Sequence, residues 1–194
     1  MVRNQPRPWL PARDTARAMS QEYKRTLEER VFVRVPSLAQ RTMRWVLRLP
    51  PGSRLRKALL VRFARRAFLT WNRGDFELVP IIDDPEVETS VMMGERSAVG
   101  LDAVYNGPDG HCRAMEDWND SWRKWDAEID EVIEVGRSQI VVVARVYGEG
   151  AASGLRISEW GALRYTFRDG RILRVNGALD PNRDRALEAA GLSE

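Results

Sequence analysis

The C-terminal half of the chain consists of strand-forming runs joined by very short turns, and this narrows the available folds more than any other feature. Ile129–Val135 meets Gln139–Tyr147 across Gly136-Arg137, and Leu155–Phe167 meets Ile172–Leu179 across Asp169-Gly170. Links this short join antiparallel neighbours, and Asp-Gly suits a tight hairpin because both residues tolerate positive φ. Gln139–Tyr147 is the most β-branched run present, as a packed, pleated surface requires. Along Leu155–Phe167 the residues Leu155, Ile157, Gly161, Leu163, Tyr165 and Phe167 share one face, since side chains alternate along a strand. A sheet with one apolar face needs a cover.

The cover precedes it. Over Arg54–Asn72, Leu60, Phe63, Ala64, Ala67, Phe68 and Trp71 recur at helical spacing while Arg62, Arg65 and Arg66 fall largely elsewhere, which predicts an amphipathic helix. Pro50-Pro51-Gly52 stops whatever comes before, Ser53 suits the N-cap, and Gly74 suits a left-handed residue after the end. Phe76–Ile82 reads as a short helix and Val87–Met93 as a strand. After the turn Gly107-Pro-Asp-Gly110 a helix is expected over His111–Trp125, with Met115, Trp118, Trp122 and Trp125 forming one stripe. A last short helix spans Ala186–Ala190 and ends at Gly191. Two further helices are expected upstream, Ser20–Arg30 and Pro36–Leu49. Helices first and a strand meander afterwards is an α+β arrangement.

Charge divides the chain. Residues 1–73 carry 18 Lys/Arg against 4 Asp/Glu, and residues 74–194 carry 13 against 24. We therefore read 1–53 as a basic helical extension, its first 18 residues poorly ordered among Pro6, Pro8 and Pro11, and 54–194 as the domain. In the extension Leu38, Met43, Trp45, Val46, Leu47 and Leu49 mix with Arg41, Arg44 and Arg48, followed by Arg54, Arg56 and Lys57. Packing on the domain, near a pocket mouth or a dimer seam, is the preferred reading. Contact with an anionic membrane surface is the second. No nucleic-acid motif accompanies the basic residues, so no nucleic-acid partner is expected. Cys112 has no partner for a disulfide, the start lacks a signal-peptide apolar run, and no stretch reaches the roughly 20 apolar residues of a membrane span. A cytoplasmic protein is expected.

In order and spacing, several motifs resemble one family. Phe68-Leu-Thr-Trp-Asn72-Arg-Gly74-Asp75-Phe76, then Asp84-Pro85-Glu-Val87-Glu88, resembles the opening helix and first strand of SnoaL-like domains of the nuclear-transport-factor-2-like superfamily. Tyr105-Asn-Gly107, Gly150-Ala-Ala-Ser153-Gly154, Phe167-Arg-Asp169-Gly170-Arg-Ile172 and Ala186-Leu-Glu-Ala-Ala-Gly191-Leu192 are similar to the elements that follow. The resemblance implies a cone, a curved antiparallel sheet wrapped round the long helix with an apolar pocket between them. It also implies homodimers through the outer sheet face. The superfamily holds polyketide cyclases, ketosteroid isomerases, epoxide hydrolases and proteins without catalysis, so fold does not settle function.

The usual catalytic positions are not retained. The ketosteroid isomerase tyrosine, base and protonated carboxyl fall near Ala67, Thr89 and Leu163, and the cyclase aspartate falls on Gly177. Epoxide hydrolases need two carboxylates about an arginine; Arg145 is present without them. One acid/base candidate remains: Glu159, in phase with the apolar face, with Arg145 on the preceding strand as partner. Phe68, Trp71, Tyr105, Met115, Trp118, Trp122, Leu163, Tyr165 and Gly177 are the expected pocket residues, with the tryptophan stripe serving as core, as pocket wall, or as both. Trp160, opposite in phase, faces outward. His111, the one histidine, reads as a surface residue at a helix start; it makes no metal site and no Cys/His pair with adjacent Cys112. No cofactor is called for. The first reading is a binder of a small apolar molecule; the alternative is an enzyme of the cyclase, isomerase or hydrolase kind using Glu159.

Overall fold

A computed structural model describes residues 25–93, 96–97 and 104–192. The stretch read as poorly ordered, 1–18, and the first residues of the expected helix from Ser20 lie outside the described residues. The helices are α1 (Leu27–Arg34), α2 (Pro36–Arg48), α3 (Arg54–Asn72), α4 (Gly107–Ser121) and α5 (Arg183–Ala189), with single 3-10 turns at Phe76–Leu78 and Pro80–Ile82. The strands are β1 (Asp83–Met93), β2 (Arg96–Ser97), β3 (Tyr105–Asn106), β4 (Trp122–Val135), β5 (Gln139–Gly150), β6 (Arg156–Arg168) and β7 (Arg171–Asp180). No described helix is long and apolar enough to cross a membrane.

The sheet runs β2-β1-β7-β6-β5-β4, with β3 on the free side of β1. From β4 to β7 each neighbour is antiparallel, as the short turns dictate, and Asp169 and Gly170 take φ of 52° and 78°. Strand β1, arriving from the other end of the domain, adds to β7 in parallel. Register shifts interrupt the ladders at Trp122/Lys124, Ile129/Glu131, Thr166/Phe167 and Asp83/Glu88. Each extra residue bends its strand and increases local twist, so the sheet curves around α3. Helix α3 starts on Ser53, whose hydroxyl accepts from the Arg56 N–H, and buries Leu60, Ala64, Phe68 and Trp71 against Val142, Val146, Leu163 and Val175. The outer face of β5 and β6, at Val141, Val143 and Ala162, packs under Ala186 and Ala190 near the chain's end.

The helix expected over His111–Trp125 begins earlier and ends at Ser121, and Trp122 and Trp125 belong to β4. Their spacing of three suits one helix face. On a strand it would send them to opposite faces, but the shift at Trp122/Lys124 absorbs one residue. Trp71, Trp118, Trp122 and Trp125 still gather, with ring centroids 4.7 Å apart for Trp71–Trp125 and 5.4 Å for Trp118–Trp122. The short helix expected over Phe76–Ile82 resolves into the two 3-10 turns, and β1 begins at Asp83 rather than Val87.

Helices α1 and α2 lie on this cone. Met43 and Val46 enter the main core, and the Arg44 guanidinium donates to the Asp169 carbonyl at 3.0 Å. Not every basic residue here is solvated: Arg56 is fully buried. Its guanidinium pairs with Glu134 at 2.6 Å and donates to the carbonyls of Leu47, Leu49 and Arg137. Along α2 Leu38 and Trp45 remain exposed.

Candidate functional site

A deeply buried polar pair forms where α4 meets β1. Gly107, at φ +74°, and Pro108 open α4. Gly110 then lies so close to β3 that a Cβ there would stand 3.2 Å from the Tyr105 carbonyl carbon. This approach presses the first turn of α4 onto the sheet and buries His111 to 2% exposure. Opposite it Asp83, the first residue of β1, has a side chain with no exposure. His111 Nδ1 and Asp83 Oδ2 are 2.9 Å apart. Among the described residues the remaining nitrogen, Nε2, and the other carboxylate oxygen, Oδ1, have no hydrogen-bond partner. Burial pushes the Asp83 carboxyl above its ordinary value, and the hydrogen bond and charge of His111 oppose that rise.

His111 lines a cavity of about 290 Å³ that lies between α1, α2, α3, the 3-10 turns and the sheet. Its walls are apolar over most of their area: Phe32, Met43, Val46, Phe63, Ile82, Met115 and Ile172 contribute. Tyr165 projects from β6 into the same wall and Thr70 from α3. Neither side chain has a hydrogen-bond partner among the described residues. Tyr165 is 3% exposed, and burial, with the Asp83 charge adding to it, lifts its hydroxyl well above the usual range. It therefore stays protonated.

One edge of the cavity is ionic. Glu29 of α1 caps its own helix with Thr26 and pairs with Arg66 at 3.2 Å and Arg73 at 3.3 Å, while Glu28 pairs with Arg62. Burial works to raise the Glu29 carboxyl, but the Thr26 N–H and the two guanidinium groups outweigh it and hold it below the ordinary range. Among the described residues no cluster of three His, Cys, Asp or Glu side chains is placed to hold a metal.

With this geometry in hand, comparison with known families gives one match: the profile described as a SnoaL-like domain fits residues 64–175. The chain belongs to the SnoaL-like domain family. No curated protein matches it. Among solved structures the SnoaL-like domain is similar to a nuclear-transport-factor-2-like protein of unknown function from Burkholderia pseudomallei, at 21% identity over 62% of this chain and 90% of that one, TM-score 0.54. It is similar to a protein described as a SnoaL-like polyketide cyclase from a Jannaschia species, at 14% identity over 68% and 91%, TM-score 0.53. It is also similar to TerC, crystallised with polyporic acid, at 18% identity over 62% and 90%, TM-score 0.52. At these identities the likeness concerns the fold.

The residues expected to line one pocket of the SnoaL-like domain are divided by α3. Met115 and Tyr165 line the large cavity. Phe68, Trp71, Trp118, Leu163 and Gly177 surround a separate void of about 20 Å³, room for a single water at most. Tyr105 and Trp122 border neither; the Tyr105 hydroxyl donates to Asp117 at 2.7 Å, and the Trp122 ring fills the space over Gly148. The pair Glu159 and Arg145 is not brought together. Glu159 stands beside Val146 on the inner face, whereas Arg145 stands beside Trp160 on the outer face. There Arg145 donates to Ser158 and stacks 5.0 Å over the Trp160 ring. Burial, and then the charge of Asp180, raises the Glu159 carboxyl, while Arg145 lowers it. Glu159 borders neither cavity.

The surface role expected for His111 is overturned by its burial, and Asp83 escaped sequence reasoning altogether. A signal was present. His111, Met115 and Trp118 fall at i, i+4 and i+7, which puts the histidine on the apolar stripe.

Proposed function

We propose that this SnoaL-like domain binds a small, mostly apolar molecule in the cavity between α1, α2, α3 and the sheet. One observation carries the reading: about 290 Å³ of space, walled by aliphatic and aromatic side chains with a few polar groups set deep within it. That combination is typical of small-ligand sites and lies near their lower size limit. Loss of the usual cyclase and isomerase positions supports binding ahead of the known chemistries. The alternative, catalysis by Glu159, draws support from its raised carboxyl, but Glu159 lines neither of the two cavities described above.

Native mass spectrometry of the freshly purified full chain tests the binding reading. A retained small molecule is expected in the wild type, and it is expected to be lost in Ala67→Phe, which places a ring in the cavity. Retention of the same molecule by both proteins would sink the assignment.

A further inference from the structure

Helix α2 is apolar on two sides, and the cone covers one of them. Ala39, Met43 and Val46 are buried beneath the helix. Leu38 and Trp45, two turns apart on its outer side, keep 42% and 51% of their surface exposed. Leu27 and Val31 of α1, and Val35 after it, are exposed in the same way. Cations stand among these side chains. Arg41 lies about one turn from both Leu38 and Trp45, and Arg48 follows Trp45 at the next turn; both are exposed and pair with no acid among the described residues. The same holds of Arg30 and Arg34 on α1 and of Arg54 and Lys57 at the start of α3. Between Arg30 and Gly74 the sequence has no Asp or Glu, and the adjacent Glu28 and Glu29 are taken up by Arg62, Arg66 and Arg73. Nothing in these helices offsets the charge.

What meets this face must be anionic and must also have an apolar part. Residues 1–24, with five Lys/Arg against two Asp/Glu, carry the same sign of charge, as would this face of a second copy. A nucleic acid supplies negative charge but nothing aliphatic for Leu38 and Val35 to enter. A protein partner would have to set a carboxylate against each guanidinium it buried. An anionic bilayer supplies both parts in any register. The apolar ends reach the acyl boundary, Trp45 sits at headgroup depth, and the arginine stems keep their charges among the phosphates. We infer that α1, α2 and the start of α3 form a docking surface for an anionic lipid bilayer, entered by Leu38 and Trp45 and held by Arg41 and Arg48. Helix α2 then has lipid on its outer side and the cavity on its inner side, where Met43 and Val46 line the wall.

Flotation of the full chain with vesicles tests this surface. Binding is expected with vesicles of mixed phosphatidylcholine and phosphatidylserine and not with phosphatidylcholine alone. It is expected to be lost between about 0.1 M and about 1 M salt, as screening shortens from about 10 Å to about 3 Å. A cation near such a surface contributes about fivefold to affinity, so Arg41→Gln with Arg48→Gln should weaken binding roughly 30-fold. Arg113→Gln with Arg185→Gln removes the same charge from exposed sites on α4 and α5 and should leave binding nearly unchanged. Trp45→Ser should weaken it without altering its salt dependence. No flotation, equal weakening by the two double substitutions, or a Trp45→Ser protein that floats like wild type would each overturn the docking surface. So would preference for a single-stranded oligonucleotide over the mixed vesicles in direct competition.

Discussion

Arg56 offers the sharpest test of how the molecule is assembled. Its side chain is wholly buried. Its three nitrogens join Glu134 of β4 and the Arg137 carbonyl of the β4–β5 turn to the Leu47 and Leu49 carbonyls at the end of α2. Replacing it by Leu keeps apolar bulk but leaves one carboxylate and three carbonyls without their donor. Removing one partner of a buried ion pair costs about 3–5 kcal/mol. Glu134 keeps 14% side-chain exposure, and some carbonyls regain water, so the lower half of that range is expected. At about 2–4 °C per kcal/mol for a chain of this length, Arg56→Leu should lower Tm by roughly 6–16 °C in differential scanning calorimetry. Cleavage at Pro50-Pro51-Gly52 under limited proteolysis should rise with it, because the lost bonds tie that corner down. A Tm within about 2 °C of wild type, below the smallest of these costs, would refute the view that this cation pins the extension to the cone.

Three further outcomes are expected. Gly170→Ala should destabilise the protein and expose α1 and α2 to protease: φ is +78° and a Cβ would lie 2.5 Å from the Gln40 carbonyl oxygen, and an unchanged digestion pattern would count against that contact. Trp118→Ala should cost about 3–5 kcal/mol in urea unfolding and remove most near-ultraviolet dichroism, because Trp118 meets the rings of Trp71, Trp122 and Trp125. Asp84, held below the ordinary carboxylate range by its hydrogen bonds to Arg168, contributes stability that is present above about pH 4 and lost as pH falls through its lower folded value. Asp84→Asn should therefore lower the urea midpoint at neutral pH, with the gap to wild type closing on acidification; a gap constant with pH would exclude this ion pair as its source.

Much of the fold was legible because local chemistry and tertiary demand agree in it. The stripe from Leu60 to Trp71 and the Asp169-Gly170 turn each permit one structure, and each is found. Agreement failed where one pattern served two periods. Trp118, Trp122 and Trp125 fit a helix face, yet a strand with one absorbed residue carries the last two equally well. The site was less legible for a different reason. His111 and Asp83 are 28 residues apart, and their meeting depends on how closely Gly110 lets α4 approach β3. Arg145 and Glu159 failed through parity: on adjacent antiparallel strands, residues paired with direct neighbours of one another face opposite ways. Charge alone was silent on burial, since a sum over residues does not distinguish Arg56 of α3, buried among carbonyls, from exposed Arg41 of α2.

The family match begins at residue 64, whereas Phe32, Met43 and Val46 of the cavity wall come earlier in the chain. The side chains that α1 and α2 give to this wall thus lie outside the stretch that matches the family. A version beginning at residue 54 would open the apolar wall of Phe63, Ile82, Met115 and Ile172 to solvent, because α1 and α2 close that side of the cavity.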